Sequence, residues 1–83
     1  MKITLTFTLN DGKKRTRTFR EPDSLIGHSN PKREVLLLTN KGMYSGKTTG
    51  DIDEDGNIIL ERDESSFSIE VPFYKIVGWA YLL

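Results

Sequence analysis

Eighty-three residues allow a single domain, and the absence of cysteine excludes disulfide scaffolds, thiolate zinc sites and cysteine nucleophiles. Hydrophobic residues make up 36% of the chain, enough for a core without covalent staples. No apolar run reaches the roughly 18 residues of a membrane span, and the N-terminus lacks a signal-peptide layout, so a cytoplasmic domain without membrane contact is expected. The zero net charge conceals a polarity: residues 1–47 carry ten basic groups against four acids, and residues 48–83 carry two against eight. Either a charged partner uses this asymmetry, or the two halves neutralise each other within the fold.

Met1–Leu9 alternates apolar Ile3, Leu5, Phe7 and Leu9 with Lys2, Thr4, Thr6 and Thr8, the period of a half-buried strand. Asn10-Asp11-Gly12 is a hairpin signal, and Lys13–Arg20 returns as a charged second strand that suits an exposed edge. Glu21–Glu34, punctuated by Pro22, Gly27 and Pro31, is too long for a simple turn and is expected either to function or to carry a turn of its own. Val35–Thr39 reads as a strand buried on both faces. Met43–Thr49, Asn57–Arg62 and Phe67–Val71 follow as strands, separated by turns at Asn40-Lys41-Gly42, Asp51–Gly56 and Glu64-Ser65-Ser66. Pro72-Phe73-Tyr74 looks like a tight helical turn, and Lys75–Leu83 closes as an apolar strand.

No stretch holds a sustained 3.6-residue stripe, so the chain is expected to be all-β. The elements divide into a hairpin over residues 1–20, a loop over 21–34 and a small SH3/Sm-like antiparallel barrel over about 34–83. A strand apolar on both faces needs two covers, which the N-terminal hairpin or a second subunit would supply.

The chemical motifs fail in turn. Asp51-Ile52-Asp53-Glu54-Asp55-Gly56-Asn57-Ile58 matches the first half of an EF-hand loop, but Arg62 stands where the bidentate Glu belongs, and flanking helices are absent. An Asp-rich hairpin turn is the plainer reading, with a weak calcium site as the minor alternative. Gly46-Lys47-Thr48 resembles the end of a P-loop but lacks the upstream Gly and the helix. His28 stands alone in a loop, and Ser24, Ser29 and Ser45 lie in no nucleophile elbow. No enzyme, cofactor or metal is therefore expected.

The binding candidates are Lys13, Lys14, Arg15, Arg17 and Arg20 on the second strand, and Trp79 and Tyr81 on the last. Arg15 and Arg17 share a face with Phe19, an arrangement able to grip phosphates beside a stacked base; Lys14 and Arg20 face the other way. The alternative is an edge strand kept soluble by charge and neutralised by the acidic 51–64 region. Trp79 and Tyr81 are wall residues if buried and anchors for a protein partner if exposed.

Residues 35–83 resemble an Sm-like barrel through Gly42, Gly46, Asp53, Asn57 and Ile58-Ile59-Leu60, which stand in the order of the first Sm motif. The resemblance implies RNA binding, with Asn57 as the base-contacting position. Gly46 comes one place early, Val77-Gly78 replaces the second motif's Arg-Gly, and a hairpin replaces the N-terminal helix. The Glu34–Gly42 strand, with its Val35-Leu36-Leu37-Leu38-Thr39 core, and the tail Val77-Gly78-Trp79-Ala80-Tyr81-Leu82 look like short phage and prophage β-proteins. That likeness implies a mobile-element origin and a protein partner.

Two functions follow as expectations. The first is a non-enzymatic interaction module that binds a protein or forms a homo-oligomer through its apolar final strand. The second is a nucleic-acid-binding barrel using the basic hairpin.

Overall fold

The computed structural model describes residues 2–9, 11–27, 30–62 and 68–82. Their strands are β1 (Ile3–Thr8), β2 (Lys14–Phe19), β3 (Val35–Thr39), β4 (Gly42–Gly46), β5 (Asn57–Glu61), β6 (Ser68–Pro72) and β7 (Ile76–Tyr81). There is no α-helix among the described residues; two 3₁₀ turns cover Pro22–Leu25 and Phe73–Lys75. The expected loop at 21–34 thus carries a turn of its own, and the tight turn expected at Pro72–Tyr74 lies one residue later. His28 and the turn expected at Glu64-Ser65-Ser66 lie outside the described residues.

All pairing is antiparallel, in three sheets: β1-β2, β4-β3-β7 and β5-β6. Among the described residues these sheets do not close into a single barrel. They are joined by isolated bridges, Arg20 to Trp79 between the hairpin and β7, and Lys47 to Glu61 between the segments after β4 and in β5. The second crossing is close: a Cβ added at Gly46 would stand 3.0 Å from the Leu60 Cβ and the Glu61 carbonyl oxygen.

β3 explains the layering. Its alternate residues Val35 and Leu37 join Leu25, Ile58, Leu60, Val71, Ile76 and Trp79 in one core, beneath β5 and β6. Leu36 and Leu38 point the other way, into a second core with Phe19, Ala80 and the inward residues of β1, Ile3, Leu5 and Phe7. The hairpin is therefore the second cover that a doubly apolar strand requires, supplied within one chain.

The final strand ends its sheet, and its centre is covered. One edge of β7 pairs with β3 and the other meets Arg20, while Trp79 and Ala80 are buried. Leu82 N–H continues the order by donating to the Glu34 carbonyl at 2.9 Å. No helix among the described residues is long and apolar enough to cross a membrane.

Candidate nucleic-acid interface

The hairpin register sorts the basic residues. Leu5 opposes Arg17 and Phe7 opposes Arg15, so both arginines share the inner face with the apolar residues and are half-buried. Arg17 is spent on structure: its Nε donates to the Tyr81 carbonyl at 3.2 Å, and its Nη2 to the Leu82 carbonyl at 2.8 Å. Arg15 donates from Nη1 to the Lys14 carbonyl. Neither arginine grips a ligand from the outer face.

That outer face consists of Thr4, Thr6 and Thr8 on β1 and Lys14, Thr16 and Thr18 on β2, all exposed, with Lys2 and Arg20 continuing the same parity. It holds cations and hydroxyls and no carboxylate. Thr4 pairs its hydroxyl with that of Thr18 at 3.0 Å, and Thr6 with Thr16 at 2.8 Å. Lys13 stands beside the turn, where its backbone N–H donates to Asp11 Oδ1. Arg15 and Arg17 direct their guanidinium bonds to backbone carbonyls, and Arg20 lies against aromatic rings.

Arg20 carries this face onto the body. Its guanidinium lies 5.0 Å from the Trp79 ring centroid and 5.5 Å from that of Tyr81. Arg33, from the 21–34 loop, lies 3.8 Å from the same Tyr81 ring. Two guanidiniums thus share one phenol, an arrangement in which the ring quadrupole attracts both cations. Tyr81 is fixed from below by an edge-on contact with Trp79 at 5.1 Å, and its hydroxyl accepts the Asn30 N–H at 2.9 Å. A depression of about 260 Å³ adjoins Arg33 and is lined by Lys32, Arg33, Glu34 and Lys47. Cations from β2, the long loop and the residue after β4 therefore meet in one region.

Trp79 lies wholly inside the protein, with its Nε1 donating to Ser24 Oγ at 2.8 Å. It is core rather than an anchor. Asn57 sits half-buried at the start of β5, opposite Pro72, away from the sheet that holds the basic strand. Its neighbouring acidic segment is closed on itself: Asp53 Oδ1 accepts the N–H groups of Asp55 and Asn57, both at 2.9 Å. No group of three or more metal-ligating side chains forms among the described residues. The EF-hand likeness here serves a turn.

Lys32 and Arg33 have no motif that marks them in the sequence, and Lys47 stands out only in the failed P-loop likeness of Gly46-Lys47-Thr48. Only the Pro31 that stiffens the loop before them hints at a fixed position, and nothing local couples residue 33 to Tyr81. No protein-family model matches this chain, and no curated protein or solved structure does either.

Proposed function

We propose that this protein is a non-catalytic all-β module that binds single-stranded nucleic acid along the tract Lys14, Arg20, Arg33, Lys32 and Lys47. The observation that carries the reading is the carboxylate-free Lys/Thr face of the hairpin, continuous with two guanidiniums on Tyr81. Cations neutralise phosphates and release counterions, threonine hydroxyls add neutral donors, and a guanidinium plane on a phenol offers a stacking surface to an unpaired base. The protein-docking alternative draws less support, since Trp79 is buried and Tyr81 is flanked by arginines.

For the architecture, we read the order β6-β5-β4-β3-β7, taken through the Lys47–Glu61 bridge, as that of an SH3-like small barrel opened between β6 and β7. The 3₁₀ turn immediately before the last strand supports the same reading.

Fluorescence anisotropy with labelled single-stranded DNA and RNA oligonucleotides tests the function. With three to five phosphate contacts, the logarithm of affinity should fall against the logarithm of salt with a slope of roughly −2 to −3.5. The pair Lys14→Glu and Arg20→Glu should flatten that slope and weaken binding. Wild-type protein that leaves both oligonucleotides unbound at low salt would end the proposal.

A further inference from the structure

β1 has one partner, β2, and its other edge is unpaired among the described residues. The phase of the ladder is fixed at the turn, where Leu9 N–H donates to the Lys13 carbonyl at 2.9 Å. In an antiparallel pair, bonded and non-bonded pairs alternate. Ile3, Leu5 and Phe7 therefore direct their backbone groups toward β2, while Thr4, Thr6 and Thr8 direct theirs outward, into solvent.

Open strand edges are normally blocked by a charge, a proline or a bulge. The free edge of β6 follows that rule with Glu70 and Pro72. β1 does not: Ile-Thr-Leu-Thr-Phe-Thr contains no charge, proline or glycine, and its six-residue register on β2 runs without a shift. The same molecule thus protects one edge and leaves the other open.

We propose that this edge pairs antiparallel with β1 of a second copy of the chain, about a two-fold axis at Thr6. In that register Thr6 faces Thr6, Thr4 faces Thr8 of the second copy, and Leu5 faces Phe7. Every outward N–H and C=O of the three threonines finds a partner. Because paired positions share parity, hydroxyls meet hydroxyls on the outer face and apolar residues meet beside the inner core. The charges fit too: Lys2 lies outside the central pairs and never opposes its own copy. The formal net charge of zero leaves no overall repulsion between the chains. A contact of six residues per chain is small against a stable interface, so the dimer should be reversible and concentration-dependent. This inference is independent of what the basic face binds.

Sedimentation velocity from low-micromolar to several-hundred-micromolar protein tests it, with a mass rising from the 9.5 kDa monomer toward the dimer. Thr6→Pro removes an N–H that the ladder to β2 does not use, so the fold should persist by circular dichroism while the dimer weakens by at least about tenfold. Thr6→Lys sets like charges across the axis and should weaken the dimer without removing the N–H. The chain has no cysteine, so Thr6→Cys introduces a single thiol. Bonded antiparallel partners have Cα atoms about 5.5 Å apart, within disulfide range, so oxidation should link this variant faster than Thr16→Cys on β2. A wild-type chain that stays monomeric throughout, or Pro and Lys variants that associate as wild type does, would overturn the proposal.

Discussion

The guanidinium of Arg17 bonds the carbonyls of Tyr81 and Leu82, so a residue of the second strand holds the end of the last. This fork ties the hairpin to the body at the rim of the second core. Lysine cannot reproduce it, because an ammonium lacks the planar pair of donors. Arg17→Ala should lower stability by about 1–2 kcal/mol, and Arg17→Lys should recover little of that loss. Urea unfolding of the three proteins measures both differences.

A second long-range bond sits under the long loop. Trp79, fully buried, donates its indole N–H to Ser24, whose own hydroxyl donates to the Glu21 carbonyl at 2.7 Å. Ser24→Ala removes the acceptor and leaves a buried donor unsatisfied, at a cost of about 1–2 kcal/mol. Trp79 is the sole tryptophan, so its fluorescence reports the change directly. The expected signature is a lower melting temperature with emission that stays blue-shifted in the folded state. Trp79→Ala, by contrast, should cost about 3–5 kcal/mol and leave little folded protein.

Where the hairpin crosses β7, residue 78 has little room for a side chain. A Cβ on Gly78 would lie 3.0 Å from the Phe19 Cβ and 3.1 Å from the Arg20 carbonyl oxygen. Neither obstacle is a flexible side-chain end, so the end of β2 would have to give by a few tenths of an ångström. Gly78→Ala should destabilise by about 1–3 kcal/mol, while Val77→Ala next to it, at an exposed position, should cost far less. Thermal melts compare the two.

Asp53 acts as an acceptor for its own turn, so its shape matters more than its charge. Asp53→Asn keeps an oxygen for the Asp55 and Asn57 amides and should melt close to wild type. Asp53→Ala strands both amides and should cost about 0.5–2 kcal/mol, the range of a lost side-chain cap. Millimolar calcium should leave all three melting temperatures unchanged. A calcium-dependent rise in wild type alone would restore the ion-site reading.

Much of the fold is legible locally. Alternation in Ile3–Thr8 set both the strand and its faces, and the unbroken Val35–Leu38 run required covers on two sides. Turn chemistry placed the hairpin ends, because Asp, Asn and Gly stabilise turns through their own conformation and side chains. The barrel closure is different. Strand periodicity says nothing about whether separate sheets join, and here they meet at single bridges.

The proposed binding surface was legible only in part. The basic strand stands out in the sequence, and parity separates Arg15 and Arg17 from Lys14 and Arg20. That Arg17 is consumed in holding β7, that Trp79 lies inside, and that Arg33 joins Arg20 on Tyr81 are facts of tertiary placement. The sequence by itself determined element types and the face each side chain takes, since both follow from backbone geometry over a few residues. Only the tertiary structure decided which distant residues meet, because Arg17 and Tyr81, 64 positions apart, are coupled by packing that no local pattern records.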